Sequence, residues 1–469
     1  MQRTILFLIA DTGAGHRSAA NAISNAIRLI QQREQEQWRA CQGAREDGTE
    51  KASEPPPPTY RIEIVDVFEG YSRFPLREVV KLYGPTIRYT PRLFGEFFHS
   101  SNREETVMAL NTIASPLIFN GLLRLFTTVQ PDIIVSIHPI INFVTIRVIR
   151  ELGLRIPFVT VVTDLVSVHY AWFAPGADAY IVPTEHAKKL YLKRGLDPER
   201  VHLLGMPIDP KFTRPVASKE ELQRKLGLKP GLPVVLLVGG GDGAGGLPAA
   251  VRTISQAHLA VQLLVVTGRN RNLYALLQRT RSKLHVPARI FGFVQNMPEL
   301  MHASDVIVTK AGPGTICEAL ACDLPLILSG YVPGQEEGNV EYVTENGVGV
   351  LALHPGELIS ALRRLLKPGS LVRQRQLENA RRIKRPEASF DIARCILSFL
   401  PPPGEPGVWQ SPHSLHRQQM MSGRLRSAIR MHRLRTPLPR TLFSKSPLSS
   451  RLARLRAREL TSEKEEELQ

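Results

Sequence analysis

Cysteine is scarce in this sequence of 469 residues. The four cysteines, Cys41, Cys317, Cys322 and Cys395, form no CxxC pair and follow no regular spacing. Their pattern excludes a disulfide-stapled secreted scaffold and a cysteine zinc site, and it favours a reducing compartment. No Asp-rich segment typical of a metal site is visible either. We therefore expect neither a metal nor a cofactor.

Long hydrophobic runs are also missing. The first apolar run covers residues 5–10, which is too short for the core of a signal peptide. No stretch approaches the ~20 apolar residues of a membrane span. We expect a chain that is neither exported nor membrane-spanning. Its 43% of hydrophobic residues is typical of a soluble protein with two or three domains.

Acidic residues are few relative to basic ones. The chain has 60 Lys and Arg against 43 Asp and Glu, a formal net charge of +17. Residues 401–469 hold 13 basic and 6 acidic residues, so most of the excess lies in the preceding part of the chain. Such a charge predicts an anionic partner, either nucleic acid or an anionic lipid surface.

Short β-branched runs alternate with helical patterns through most of the chain. This alternation predicts an α/β fold with two Rossmann-like, doubly wound domains that face a cleft. The predicted strands cover residues 5–10, 61–67, 132–137, 158–163 and 179–182 in one series, and 234–238, 262–267, 288–291, 306–309 and 325–328 in the other.

The domain prediction has three parts: an N-terminal domain over residues 1–205, a C-terminal domain over 206–400 and a basic tail over 401–469. The N-terminal domain contains a polar segment, 32–58, that ends in PPPP and that we predict to be a mobile insertion. The tail has 12 Lys or Arg and no Asp or Glu between 417 and 458. We predict disorder for it in solution, with a basic amphipathic helix on a membrane as the alternative.

The stretch DTGAGHRSA, residues 11–19, joins a predicted strand to a helix. Ligands bind at this edge of open α/β sheets, and Gly13 and Gly15 permit a sharp turn near an incoming group. The stretch lacks the last glycine of a GxGxxG dinucleotide motif. His16 opens the helix and can take a proton from a hydroxyl at neutral pH. The alternative is that His16 only caps Asp11 or the helix start.

A second glycine loop, GGGDGAGGLP, covers residues 239–248 and follows a predicted strand. The backbone N–H groups of Gly239, Gly240 and Gly241 can converge on a diphosphate. The loop lacks the GKS or GKT ending of a P-loop. It therefore predicts phosphate contact without nucleotide hydrolysis.

The most specific stretch is TKAGPGTICEALACDLPLILSGYVPGQEEGNVEYV, residues 309–343. Carboxylate and amide groups on neighbouring loops suit the hydroxyls of a ribose and a hexose. Together with the glycine loop, they predict a sugar-nucleotide site. The residues concerned are the turn of Gly312 and Gly314, the helix start at Thr315, Glu318 one turn later, and Gln335, Glu336 and Asn339 in the next loop.

Over residues 4–400 the chain resembles the monogalactosyldiacylglycerol synthases. These form a lipid-glycosylating branch of the GT-B glycosyltransferases, which also include the lipid-linked N-acetylglucosamine transferase of peptidoglycan synthesis. The resemblance rests on DTGAGHRSA, PDIIVSIHPI, VVTDL, GGGDGAGG, TGRN, GFVQNM, TKAGPGTICEA and GYVPGQEEGNVEYV. It implies an inverting, metal-free transfer of a hexose, expected to be galactose, from a UDP-sugar to the hydroxyl of 1,2-diacylglycerol.

The resemblance also implies a role for each matching residue. His16 is the base that deprotonates the acceptor, and Ala14 departs from the family pattern of three glycines before this histidine. In the donor site, Gly292 and Phe293 frame the uracil, Glu318 holds the ribose, Gln335 and Glu336 hold the hexose, and Arg269, Gly239, Gly240, Gly241 and Asn339 face the diphosphate.

Residues 68–98 contain 8 aromatic residues, interleaved with Arg73, Arg77, Lys81, Arg88 and Arg92. Such a mixture is typical of an interfacial segment that binds anionic membrane lipids, and the alternative is a helical lid over the core. We expect a peripheral protein at the cytoplasmic face of the cell membrane. The basic part of the tail has a single aromatic residue, Phe443, so we expect no nucleic-acid partner.

Other functions remain open at this point. The protein could transfer glucose from UDP-glucose to diacylglycerol. It could also transfer N-acetylglucosamine from its UDP-sugar to a polyprenyl-linked acceptor. A UDP-sugar epimerase would keep the fold and change the chemistry. A protein without activity could bind nucleic acid or a membrane surface, but the presence of His16, Glu318, Gln335 and Glu336 argues against it.

Overall fold

The structure of the protein is a computed structural model that describes residues 2–11, 15–43, 56–214, 217–240, 246–402, 405 and 408–410. These residues belong to one compact unit, residues 1–414. They form two parallel six-stranded sheets with helices around them, which confirms the predicted fold class. The insertion residues 44–55 and the tail residues 411–469 lie outside the described residues.

The first sheet consists of β1 (Gln2–Ile9), β2 (Thr59–Asp66), β3 (Ile133–Ser136), β4 (Phe158–Val161), β5 (Ala179–Val182) and β6 (Val201–Leu203). The second consists of β7 (Val234–Val238), β8 (Gln262–Val266), β9 (Ala288–Phe291), β10 (Val306–Lys310), β11 (Leu326–Gly330) and β12 (Gly349–Leu351). Every predicted run coincides with a strand to within a few residues. The two strands that the sequence analysis missed, β6 and β12, have only three residues each.

The α-helices of the described residues are α1 (Gly15–Gly43), α2 (Val67–Tyr71), α3 (Leu76–Lys81), α4 (Tyr83–Tyr89), α5 (Pro91–Ser101), α6 (Glu104–Val129), α7 (Asn142–Leu152), α8 (Glu185–Lys193), α9 (Lys219–Lys225), α10 (Leu247–Gln256), α11 (Arg271–Thr280), α12 (Met297–His302), α13 (Pro313–Ala321), α14 (Glu337–Glu345), α15 (Pro355–Leu366), α16 (Leu371–Ile383) and α17 (Ala388–Ser398). Short 3-10 helices lie between them at Pro139–Ile141, Tyr170–Trp172, Pro198–Arg200, Pro210–Phe212, Arg281–Lys283 and Val408–Gln410.

The strand orders place a topological switch point in each sheet. The first sheet has the order β2-β1-β3-β4-β5-β6, so the direction in which strands are added to the sheet reverses between β1 and β3. The second has the order β12-β11-β10-β7-β8-β9, so the change falls between β7 and β10. Ligands of open α/β sheets bind at such points, beyond the carboxyl ends of the strands. The histidine loop follows β1, and the two glycine-rich stretches follow β7 and β10.

The central strands of both sheets are buried on both faces, which explains their runs of Val, Ile and Leu. All five residues of β7 are buried, for example. The core of the first sheet includes Phe390, Ile392, Ala393 and Ile396, which all belong to α17. The last helix of the predicted C-terminal domain therefore packs against the N-terminal sheet. No local sequence pattern marks this crossing.

The predicted boundaries of the insertion and the tail also differ from the structure. α1 continues to Gly43, so the insertion predicted from residue 32 begins as helix. Beyond residue 400, the Arg3 guanidinium donates to the carbonyl of Glu405 at 2.7 Å. The indole of Trp409 is buried and donates to the carbonyl of Pro131 at 2.9 Å. The chain from 401 to 410 is thus attached to the first domain at its described residues.

Helix α6 meets the length and apolarity of a membrane-crossing helix, a feature that the sequence analysis did not predict. One third of its most apolar window is buried inside the protein. A single helix of this kind is weak evidence for a membrane span. Its C-terminal half packs in the first domain, where Ile118, Leu122 and Phe126 are almost fully buried. Its N-terminal half leaves Met108 and Ile113 exposed.

Gly121 on α6 lets this helix approach α2. A Cβ built on Gly121 would overlap with the carbonyl oxygen of Tyr71. We expect Gly121→Ala to lower the free energy of unfolding by at least about 1–3 kcal/mol, because two backbones must separate. Urea unfolding followed by circular dichroism measures this loss.

The matched control is Gly70→Ala on α2, where no heavy atom lies within 4 Å of the added Cβ. This variant should be neutral or more stable by up to about 1 kcal/mol, since alanine favours helix. Equal stability of the two variants would contradict the close approach of α2 and α6.

Candidate active site

A cavity of about 480 Å³ lies between the carboxyl ends of the two sheets and is lined from both domains. Gly292 and Asn339 do not line it, and Gly13 and Gly241 lie outside the described residues. The predicted site residues that line it are Gly15, His16, Gly239, Gly240, Arg269, Phe293, Gly312, Gly314, Thr315, Glu318, Gln335 and Glu336.

His16 lies in the first turn of α1, half-buried at the cavity wall. Its Nδ1 is 3.4 Å from the hydroxyl of Thr163, which follows β4. Its ring meets that of His138, which follows β3, edge to face at a centroid distance of 4.8 Å. Strands β1, β3 and β4 therefore all end around this imidazole.

Burial lowers the pKa of His16 to about 4, although the Ile137 carbonyl and the Asp11 carboxylate act in the opposite direction. Burial, together with the neighbouring His16, holds the pKa of His138 well below its usual range. Both imidazoles are neutral at physiological pH. A neutral imidazole at a cavity wall can accept a proton.

Two carboxylates, those of Asp11 and Asp66, connect the chain just after β1 to helices α1 and α2. The guanidinium of Arg17 donates to both carboxylate oxygens of Asp11, at 2.8 Å to Oδ1 and 2.6 Å to Oδ2. The backbone N–H of Asp11 donates to Asp66 Oδ2 at 2.7 Å, and Asp66 Oδ1 accepts from the first turn of α2. Arg17 thus pairs with the Asp11 carboxylate, and residues 12–14, just before the helix, lie outside the described residues.

Asp164 adds a carboxyl group to the same side of the cavity. Its Oδ2 accepts from the indole of Trp172 at 2.7 Å. Burial raises the pKa of Asp164 to about 6, although hydrogen bonds from Trp172 and from the backbone of His169 oppose the shift. This side of the cavity therefore contains two groups, His16 and Asp164, that can accept a proton near neutral pH.

On the donor side, Lys310 ends β10 at a shift in register with β11. Its ammonium forms an ion pair with Glu336, a carboxylate that is only 5% exposed. A Cβ built on Gly312 would lie 3.2 Å from Lys310 Nζ, and one on Gly240 would lie 3.0 Å from Lys310 Cε. The two glycine turns thus leave the space that this side chain occupies.

The loop after β11 is fixed by its own hydrogen bonds. The N–H of Val332 donates to Glu336 Oε2 at 2.9 Å. Asn339 is buried and donates to the carbonyl of Ala311 at 2.9 Å, so it holds the turn after β10 and does not reach the cavity. Gln335 Oε1 accepts from the hydroxyl of Tyr83, a residue of the first domain, at 2.8 Å.

Glu318 projects from α13 into the cavity. Burial, with a smaller effect of Asp209, raises the pKa of Glu318 to about 7. The guanidinium of Arg269 lies 5.4 Å from the ring centroid of Phe293, whose side chain is 57% exposed. Arg269 is thereby held at the mouth of the cavity.

Several residues that line this cavity were not predicted from the sequence, among them Tyr83, Thr163, Asp164 and Lys310. Lys310 carried a signal, since it directly follows a predicted strand and lies two residues before the Gly-Pro-Gly turn. Thr163 and Asp164 lie in the motif VVTDL, which supported the resemblance without a role for either residue. Tyr83 carried no signal, because its partner is 252 positions away in the sequence.

Among the described residues, no group of three or more His, Cys, Asp or Glu side chains has the arrangement of a metal site. The charges that face the cavity come from side chains, glycine turns and the N-terminus of α13.

Two doubly wound domains that enclose such a cavity define a GT-B fold. Two solved structures share it, MurG from Acinetobacter baumannii (TM-score 0.52, 13% identity, 84% of this chain and 99% of that one) and the UDP-GlcNAc 2-epimerase from Neisseria meningitidis (0.53, 14%, 85% and 100%).

The family is shown by sequence comparison. Residues 54–208 match the model of monogalactosyldiacylglycerol (MGDG) synthase, and residues 234–391 match that of the glycosyltransferase family 28 C-terminal domain. Relatives include probable MGDG synthase 2 of Oryza sativa subsp. japonica, 35% identical over 88% of this chain and 84% of its own, and MGDG synthase 1 of Arabidopsis thaliana, 34% identical over 83% and 70%. The chain belongs to the MGDG synthase family and is a glycosyltransferase, as predicted.

The comparison corrects one prediction. The relatives from rice and Arabidopsis are named chloroplastic. The predicted location at the cytoplasmic face of the cell membrane is therefore wrong. That prediction rested on the cysteine pattern, the absence of an export signal and the interfacial segment, none of which distinguishes one membrane from another.

Proposed function

We propose that the protein transfers galactose from UDP-galactose to 1,2-diacylglycerol at a chloroplast membrane, with inversion and without a metal or cofactor. As a member of its family it is a UDP-sugar glycosyltransferase that acts on diacylglycerol. The galactosyl specificity, the residue roles and the location are the proposal. The observation that carries it is the presence of neutral His16 and paired Lys310 in one cavity.

The acceptor reaction needs a base on the first domain. The hydroxyl oxygen of diacylglycerol bonds to the anomeric carbon, its proton passes to His16, and the bond from that carbon to the diphosphate breaks. Attack from the face opposite to the leaving UDP gives a β-linked product. The low pKa of His16 keeps the imidazole unprotonated before the reaction.

The leaving UDP needs neutralisation of its developing charge. Lys310 Nζ, the backbone of Gly239 and Gly240, and the N-terminus of α13 line the same part of the cavity. Such groups stabilise a leaving diphosphate without a metal. Arg269 and Phe293 at the mouth are the proposed partners of the diphosphate and uracil, and Glu318 the partner of the ribose. Asn339 acts indirectly, through the turn that it holds.

Product analysis tests the proposal. The purified full chain receives vesicles of phosphatidylglycerol and diacylglycerol with UDP-galactose or UDP-glucose. We expect a β-galactolipid from the wild type and a rate lower by about 10²- to 10⁴-fold from His16→Ala, because the base is missing. A glucolipid alone would contradict galactose as the hexose, and the absence of any lipid product would contradict the acceptor.

The pH profile of kcat/KM distinguishes His16 from Asp164 as the base. With His16, activity should fall as the pH drops through about 4; with Asp164, it should fall through about 6. Asp164→Asn, which can still accept from Trp172, is the matched variant. If this variant loses as much activity as His16→Ala and the profile breaks near 6, His16 is not the base.

The first domain also offers a surface for anionic membrane lipids, which we include in the proposal. The aromatic residues of 68–98 divide between two environments: Phe68 and Phe98 point inward, whereas Phe74 is 80% and Phe97 60% exposed. We define the exposed apolar face of α3 to α6 by Phe74, Val79, Leu82, Tyr89, Leu93, Phe97, Met108, Leu110 and Ile113.

Exposed basic side chains lie in the same segment of the chain. Arg73, Arg77, Lys81 and Arg92 are all exposed. Glu78 is the ion-pair partner of both Arg77 and Lys81, so the positive charge is only partly offset. Apolar side chains interleaved with basic ones suit a bilayer surface that carries anionic phosphates.

The double variant Leu93→Ser/Phe97→Ser tests this surface. We expect its affinity for vesicles of phosphatidylglycerol and diacylglycerol to fall by at least about tenfold, because each side chain loses the burial energy of an apolar group. Flotation of vesicles with bound protein measures it. The matched control is Leu371→Ser on α16, where the side chain is equally exposed at 66%. Equal binding by both variants would contradict the membrane face.

A further inference from the structure

The loop that carries Gln335 is held from the first domain. Helices α4 and α5 lie on one side of it. A Cβ built on Gly95 would lie 2.8 Å from the Cβ of Pro333, and one on Gly334, whose φ is +77°, would lie 3.1 Å from the Cβ of Phe98. These glycines allow a contact that larger residues would block. His99 Nε2 lies 3.4 Å from a carboxylate oxygen of Glu337.

Tyr83 is the polar part of this contact. It begins α4, it lines the cavity, and its hydroxyl donates to Gln335 Oε1 at 2.8 Å. The ring of Phe94 meets the Tyr83 ring edge to face at 5.5 Å and limits its movement. The hydroxyl is thus fixed relative to α5, and Gln335 is fixed relative to the hydroxyl.

The bond determines which hydrogen bonds Gln335 can offer. An amide has one acceptor oxygen and an NH₂ group with two donors. With Oε1 accepting from Tyr83, the amide nitrogen is committed as the donor toward a ligand. Glu336, the next residue, offers only acceptor oxygens. A ligand hydroxyl between the two would accept from Gln335 and donate to Glu336. The two side chains together therefore select a hexose by the position and orientation of its hydroxyl.

We propose that Tyr83 is a positioning residue for the donor hexose: from the first domain, it fixes the amide of Gln335 and so completes the hexose subsite. This inference rests on the proposed function, in which Gln335 contacts the hexose. It adds that hexose recognition depends on α4 and α5. The outer side of α5 carries Leu93 and Phe97 of the exposed apolar face, and its inner side holds the Gln335 loop.

Calorimetric titration of the full chain with UDP, UDP-galactose and UDP-glucose tests the inference. Tyr83→Phe removes only the hydroxyl. We expect it to weaken the preferred UDP-hexose by about 5- to 10-fold, as for one lost hydrogen bond, and to leave UDP binding unchanged. Discrimination between the two hexoses should decrease, and KM for the UDP-hexose should rise more than kcat falls.

Two further variants define the outcome. Tyr274→Phe on α11 is the matched control, because Tyr274 accepts from a glutamine, Gln278, at 3.0 Å but does not line the cavity. It should bind all three ligands like the wild type. The double variant Tyr83→Phe/Gln335→Ala should bind UDP-hexose no worse than Gln335→Ala, since the hydroxyl acts through the amide.

The inference is overturned if Tyr83→Phe leaves UDP-hexose affinity unchanged, if it weakens UDP and UDP-hexose equally, or if the effects of the two substitutions add. Failure of the proposed function looks different. In that case the wild type makes no galactolipid. The calorimetric comparison of Tyr83→Phe with the wild type still reports whether the Tyr83 hydroxyl affects the binding of either UDP-hexose.

Discussion

A carboxylate that is removed from water needs a cation and hydrogen bonds, and Glu336 finds both in Lys310 and the N–H of Val332. This ion pair joins the end of β10 to the loop after β11. The position of Gln335, the next residue back, follows from it. Lys310 also lies against the turns at Gly240 and Gly312, so the same pair sets the shape of this part of the cavity.

The topological switch points of the two sheets place two chemically different groups in one cavity. The first domain supplies an uncharged imidazole at the end of β1, and burial maintains it in that state. The second supplies a positive charge at the end of β10. A transfer reaction needs this combination, because a proton must leave the acceptor while negative charge accumulates on the donor diphosphate. Neither sheet alone holds both groups.

Most of the fold could be predicted from the sequence because buried parallel strands are continuous apolar runs. The three-residue strands β6 and β12 were too short to show a pattern. The placement of α17 on the first sheet and the bond from Tyr83 to Gln335 depend on contacts between distant parts of the chain, which periodicity does not encode. His16, Glu318 and Glu336 were found because they follow strands in motifs; the burial that shifts the pKa of His16 and Glu318 was not visible.

The central claim of the proposed function is that Lys310, held in place by Glu336, presents its charge to the donor diphosphate. Calorimetric titration with UDP and uridine tests it most directly, using the wild type, Lys310→Arg and Lys310→Met. The account predicts that Lys310→Met binds uridine normally but binds UDP at least about tenfold more weakly, because a charged hydrogen bond is lost, and that Lys310→Arg retains most of the affinity. Unchanged UDP affinity in a folded Lys310→Met protein would contradict the account.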